Sequence, residues 1–502
     1  MGQGGFGGQS MGQGGFGGQS MGQGGPKGWG GSLWRSMGQG GSMGASMGQG
    51  GSVGQEGSTG GSMGQGGSED WEASLGSALQ AQVREGRALA ALGGWELLRG
   101  LLVFALCSND RLAQDPEAFL RWSRRLLGPH LWRALLSVSL WGQFAVGRSP
   151  AAVQGLSQRL RARGLRPMLA LPIEGEGPDG EGEDWFEQNC GAALECVGLA
   201  AESGPEPAMQ LKLTALLSQR LCEKLSLRLA EPEGAELSPD KVAAMLGGQV
   251  PQLTWLSPAE NQHLGQGLAR LEKVAQAAAR RGVQVLVDAE LSQLNPALSC
   301  LTWGLVWRHN RARPRVWYTY QAYLRDAEAL LGAHLCRAGR AGLALGVKLV
   351  RGAYLGQEQG RARARGCPSP TWGTARETAQ SYGRCLQLVL AAVAQPGSRV
   401  SLMVATHNEE SALQAAQGVA RLPRGSSGAV CFAQLLGMGE HLSLALGRAG
   451  LPVYKSVPLG PPEVTLPYLA RRATENRGAL AGARRERQLL WAELRRRLRP
   501  WA

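Results

Sequence analysis

The chain has 502 residues, a length that exceeds one ordinary domain and allows two or three. Its formal net charge is +14, but residues 471–499 hold ten arginines and three glutamates, so half of the excess sits in one basic tail. With no finger spacing, aromatic-rich sheet motif or basic region ahead of heptads, that charge does not indicate a nucleic-acid-binding module.

Residues 1–68 carry 30 of the 75 glycines and seven of the 12 methionines, as a decayed Met-Gly-Gln-Gly-Gly repeat. So little apolar content cannot offset ordering entropy, and the segment reads as disordered. Gly2, Gly4 and Gly7 fit the dinucleotide pattern G-x-G-x-x-G. The pattern has meaning only between a strand and a helix, and neither flank exists.

Residues 69–163 form a helical region, with apolar spacing through Leu89, Leu92, Leu97 and Leu98 and again through Leu120, Leu126, Leu127 and Leu131. The apolar run Leu101 to Cys107 is too short to cross a membrane. Neither a secretory signal nor an Arg-rich amphipathic transit pattern is visible. The nine cysteines are odd in number and contain no Cys-x-x-Cys pair, which fits free thiols and leaves no metal site.

From residue 164 to 502 short apolar runs alternate with long amphipathic stretches. The runs are Pro167–Leu171, Gln210–Leu213, Val283–Asp288, Val316–Tyr320, Leu343–Val350, Val400–Ala405, Ala429–Phe432 and Val453–Val457. Such alternation implies parallel strands buried on both faces. Eight units suit a closed (βα)8 barrel, and a doubly wound open sheet has the same pattern. Segment 217–282 is long enough for extra helices.

In a (βα)8 barrel the working residues lie at the C-terminal strand ends. Here those ends carry Lys212; Asp288 and Glu290; Gln321; Lys348, Arg351 and Tyr354; Thr406, His407 and Asn408; and Ser456. Polar groups at nearly every end suggest a site for a large polar ligand. Beyond the last strand, Tyr468, Arg471, Arg472 and Glu475 share one helix face. Two guanidiniums beside an aromatic ring suit a carboxylate attached to a small apolar ring. A solvent-facing helix with an ion pair to Glu475 fits the same spacing.

Seven segments in order, LKLTAL (211–216), VDAE (287–290), TYQAYL (319–324), VKLVRGAYL (347–355), ATHNEES (405–411), QLLGMGE (434–440) and YLARRATEN (468–476), resemble the proline dehydrogenase family. The resemblance runs from about residue 75 to 499. It implies a distorted TIM-like (βα)8 barrel that binds FAD at its strand ends, which accounts for the missing dinucleotide fingerprint. Carried over, Gln321, Lys348, Val350, Arg351, Gly352 and Ala353 contact the flavin, with Thr406, His407 and Asn408 lining it. Lys212, Arg471 and Arg472 bind a substrate carboxylate, while Tyr354, Leu435 and Tyr468 pack on its ring. Asp288, Lys348 and Lys212 form the implied catalytic group.

Two positions depart from the family pattern. Lys348 stands where many bacterial members have arginine, and a cation there still stabilises negative charge on a reduced ring. Ser456 lies twelve residues before Tyr468, where proline dehydrogenases carry a tyrosine over the ring carbon distal to nitrogen. Serine opens space and offers a hydroxyl partner, as in the vertebrate branch that acts on hydroxyproline. The implied reaction is oxidation of trans-4-hydroxy-L-proline to 1-pyrroline-3-hydroxy-5-carboxylate, with electrons passed to a quinone at the inner mitochondrial membrane. L-proline oxidation to 1-pyrroline-5-carboxylate is the alternative. Outside the family, a Schiff-base lysine in an aldolase-like barrel or a basic RNA-associated protein would account for single features only.

Overall fold

The computed structural model describes residues 77–108, 116–173, 182–231, 236–475 and 479–498. The head 1–68, read above as disordered, lies outside the described residues. Eight strands close a parallel barrel in sequence order. They are Leu165–Ala170 (β1), Ala208–Leu211 (β2), Gln284–Val287 (β3), Val316–Gln321 (β4), Leu345–Val350 (β5), Val400–Ala405 (β6), Val430–Leu435 (β7) and Val453–Pro458 (β8). β8 pairs back onto β1 from Leu165↔Val453 to Ala170↔Pro458. That contact decides between the closed barrel and the open sheet.

Strand alternation separates two cores. Outward residues such as Leu169, Val287, Val347 and Phe432 join the surrounding helices in one large apolar cluster. Inward residues Met168, Ala208, Leu286, Trp317, Met403, Ala433 and Tyr454 fill the barrel floor. The Trp317 indole lies across Gly346, where a Cβ would stand 2.4 Å from the ring. Only glycine leaves room for that plug.

Ahead of the barrel come helices Gly94–Cys107 (α1), Pro116–Val138 (α2), Leu140–Phe144 (α3) and Pro150–Arg161 (α4). α2 is kinked at Gly128, whose φ of 68° precedes Pro129. Its Trp132 and Leu136 are buried against Leu466, but Trp122, Leu126, Leu131, Leu135 and Val138 are exposed. Of the apolar residues spaced along this helix, Leu120 and Leu127 pack against that cluster, while Leu126 and Leu131 point outward.

Between the strands lie Glu183–Ala201 (α5), Gln219–Leu229 (α6), Pro239–Leu246 (α7), Pro258–Arg281 (α8), Asn295–His309 (α9), Ala327–Ala341 (α10), Leu355–Ala364 (α11), Ala375–Val393 (α12), Glu409–Ala420 (α13) and Glu440–Arg448 (α14). Among its described residues, segment 217–282 thus holds three helices, α6 to α8. Pro462–Glu475 (α15) and Ala479–Leu498 (α16) complete the chain. α16, in the basic tail, is docked: Leu489, Leu490, Glu486 and Glu493 are buried. Glu486 accepts the backbone N–H groups of Gly439 at 2.7 Å and Glu440 at 2.8 Å, capping α14.

Candidate active site

The period of two puts Gln210, Gln321, Lys348, Val350, Leu435 and Ser456 on the inner barrel face, above the apolar floor. Asp288 follows β3 directly, and its backbone N–H donates to Leu211 O at 2.9 Å. Lys348 Nζ donates to Asp288 Oδ1 at 2.8 Å. Gln210 Nε2 donates to the same oxygen at 2.9 Å, and Ser456 Oγ donates to Gln210 Oε1. One polar chain therefore runs Ser456–Gln210–Asp288–Lys348 through β8, β2, the end of β3 and β5. Leu435 is the register partner of Ser456.

The sequence reading misses Gln210. Its signal is parity: a polar side chain two residues before Lys212, on the face that Ala208 uses for the floor.

Lys212 stands one residue beyond β2. Burial raises the pKa of Glu290, and the nearby Lys212 ammonium and two bonds from Thr214 partly offset the rise. Thr214 Oγ1 donates to Glu290 at 2.6 Å. Gln321 Nε2 donates to the Glu290 carbonyl at 2.8 Å, while the buried Gln321 Oε1 has no partner among the described residues.

After β5 the chain turns through Arg351, Gly352, Ala353 and Tyr354 into α11. Gly352 has φ +128°, and a Cβ there would lie 2.2 Å from the Tyr323 ring. Arg351 donates to Ser411 Oγ at 3.1 Å and lies 5.9 Å from the Tyr382 ring centroid. Tyr354 is buried at the start of α11. Glu358, one turn later, accepts from both the N–H and the hydroxyl of Ser292 at 2.7 Å, tying α11 to the segment after β3.

At β6, Asn408 Oδ1 caps α13 by accepting from Ser411 N at 2.8 Å, and Thr406 Oγ1 accepts from Asn408 N at 3.1 Å. His407 presents one edge to solvent, but its Nε2 accepts from Leu435 N at 3.2 Å. Desolvation around the ring, with Lys455 and His441 close by, holds its pKa below the usual value. Such an imidazole is neutral and carries its proton on Nδ1.

α15 carries Tyr468, Arg471 and Arg472 and packs against α2. The side chains of Arg471 and Arg472 lie outside the described residues, so the carboxylate clamp stays an expectation from spacing. Among the described residues no three His, Cys, Asp or Glu side chains gather as metal ligands.

This arrangement matches known proteins over most of its length. The family model for proline dehydrogenase matches residues 156–485. Hydroxyproline dehydrogenase of Homo sapiens is 48% identical over 430 residues, covering 83% of this chain and 93% of that protein. Proline dehydrogenase 1, mitochondrial, of Bos taurus is 30% identical over 526 residues, covering 80% of this chain and 87% of that protein. Among solved structures, proline utilization A from Bdellovibrio bacteriovorus inactivated by N-propargylglycine aligns with a TM-score of 0.55 at 19% identity. It covers 83% of this chain, which spans only 39% of that longer one, and the likeness is one of fold. A family match across the whole barrel, with identity this high to a full-length relative, leaves one assignment: the chain is an oxidoreductase and belongs to the proline dehydrogenase family.

Proposed function

We propose that the protein is an FAD-dependent hydroxyproline dehydrogenase, oxidising trans-4-hydroxy-L-proline to 1-pyrroline-3-hydroxy-5-carboxylate and passing electrons to a quinone. The observation that carries this reading is Ser456, a small hydroxyl residue on the inner barrel face and hydrogen-bonded into the Asp288–Lys348 pair through Gln210. A buried substrate hydroxyl without a partner costs about 1–3 kcal/mol, so a polar residue here favours the hydroxylated ring. Similarity to the human hydroxyproline dehydrogenase supports the same choice.

The residues at the strand ends fit FAD. Gln321 Oε1 is a buried acceptor without a protein partner among the described residues, suited to a ring N–H. Gly352, packed on the Tyr323 ring, lets the turn after β5 take a conformation that would bring its backbone to the cofactor. Gln321, Lys348, Val350, Arg351, Gly352, Ala353, Thr406, His407 and Asn408 would hold the cofactor. Asn408 would contribute its amide NH2, because its oxygen caps α13. Bound FAD supplies the two-electron acceptor.

Arg471, Arg472 and Lys212 bind the substrate carboxylate, and Tyr354, Leu435 and Tyr468 pack on the pyrrolidine ring. Cations around the substrate disfavour a second positive charge and promote its free amine. Asp288 holds Lys348 in place at the site.

Quinone reduction at the inner mitochondrial membrane fits the outer face of α2. Trp122, Leu126, Leu131 and Leu135 are exposed there among Arg121, Arg124 and Arg125. The bovine relative carries the label mitochondrial. Binding to anionic phospholipid vesicles that Trp122→Glu leaves intact would count against this face.

Ser456→Tyr tests the substrate. A tyrosine ring should collide with the 4-hydroxyl and cover an unsubstituted ring, moving relative kcat/KM toward proline by about 2–3 kcal/mol, roughly 30- to 150-fold. Equal losses for both substrates would leave L-proline dehydrogenase as the better reading.

A further inference from the structure

Gln210 has an amide with two ends that cannot be exchanged. Asp288, as a carboxylate, only accepts, and it already takes the Lys348 ammonium at 2.8 Å. The NH2 end of Gln210 must therefore face Asp288, as its 2.9 Å bond records. The oxygen end then faces Ser456, which has to donate. A serine hydroxyl has one proton. Once that proton is given to Gln210, every further bond at Ser456 Oγ is one that it accepts. The direction set by the ion pair thus runs along the chain to the serine.

We infer that Gln210 is a positioning residue that makes Ser456 an acceptor, so that the site reads the 4-hydroxyl of its substrate as a hydrogen-bond donor. This rests on the hydroxyproline reading above. It adds that the site selects the donor and not merely a polar substituent. A 4-substituent that can only accept meets an oxygen lone pair there and gains nothing over a bare ring. Without Gln210 the Ser456 proton is free to rotate, and the selection weakens.

The test uses the purified holoenzyme and the ratio of kcat/KM for hydroxyproline to that for trans-4-fluoro-L-proline, which general damage to the site does not move. Gln210→Leu keeps the volume and removes both bonds. It should lower the ratio about tenfold, the scale of one hydrogen bond to a buried substrate group, because the freed Ser456 proton can then serve an acceptor-only substituent. In a Ser456→Ala background the same change should lower it no further, because Gln210 acts through Ser456. If Ser456→Ala lowers the ratio and Gln210→Leu does not, the inference is overturned and the hydroxyproline reading stands. If neither variant moves it, the hydroxyproline reading of Ser456 fails as well. Wild-type enzyme offers a check that needs no variant. Trans-4-fluoro-L-proline, whose substituent can only accept, should be used no better than proline, and use approaching that of hydroxyproline would overturn donor selection.

Discussion

Lys348 on β5 and Asp288 beyond β3 meet across the barrel mouth, the ammonium donating to the carboxylate at 2.8 Å. The lysine side chain is 7% exposed and the aspartate 23%, so solvent screens the pair only partly. Breaking it leaves the carboxylate with the Gln210 amide and removes the cation from the proposed cofactor site. Lys348→Met should therefore lower kcat by roughly 10- to 100-fold, equivalent to about 1.5–3 kcal/mol for a bond to a charged group. Lys348→Arg should recover most of it. Steady-state kcat at saturating hydroxyproline gives the answer, and wild-type turnover in the methionine variant would remove Lys348 from the chemistry.

Gly352 joins a left-handed φ to a ring face with no room for a Cβ. Gly352→Ala must push the Tyr323 ring away or shift the backbone between Arg351 and Tyr354. The strain of such a conformation is about 1–3 kcal/mol before the clash is counted. The flavin-to-protein absorbance ratio of the purified variant should fall well below that of wild type. A full flavin complement would show that this turn does not hold the cofactor.

The clamp proposed on α15 makes a kinetic prediction. Arg471→Ala or Arg472→Ala should each raise KM by about 2–3 kcal/mol, roughly 30- to 150-fold, through loss of a charge-assisted contact. Flavin content should hold, since the proposed cofactor contacts come from other elements. A wild-type KM in either variant assigns the carboxylate to other groups.

Away from the site, Glu272 on α8 is nearly buried and accepts from Arg308 at 2.9 Å, His309 at 3.0 Å and Gln276 at 2.8 Å. Burial alone would raise its pKa, but these hydrogen bonds outweigh it and hold the pKa at about 2. Its folded pKa lies below the unfolded value, so its stabilisation is present above about pH 4.5 and is lost as pH falls toward 2. The amount is on the order of 2–3 kcal/mol. Thermal melts of wild type and Glu272→Gln should differ clearly at pH 7 and converge as pH approaches 2. A constant difference across that range would mean that the charge plays no part.

The strands were legible because parallel barrel strands are buried on both faces and read as short apolar runs. Closure was legible only through the family resemblance, since the pairing of Leu165 with Val453 joins segments far apart in sequence and leaves no local mark in the strand pattern. Lys348 and Asp288 could be found as polar residues at strand ends. Gln210 could not, because an amide at the start of an apolar run looks like its boundary until the inward parity of β2 is known. α2 shows the opposite limit: periodicity reveals a stripe, and only packing tells which side it faces. Glu486 was hidden for a third reason, as an acid within an Arg-rich helix whose partners, Gly439 and Glu440, lie on another element.

The closing contacts of this fold come from its last elements. β1 waits for β8, and the N-terminus of α14 waits for Glu486 of α16. At ribosomal speeds of about 5–20 residues per second, roughly half a minute separates synthesis of the first strand from that of the final helix. Until β8 emerges β1 has a bare edge, and from then until Glu486 is made the turn after β7 still lacks its cap. A nascent chain in this state is a natural client for chaperones that shield strand edges, and a ribosome that stalls late leaves an open sheet prone to pairing with its neighbours.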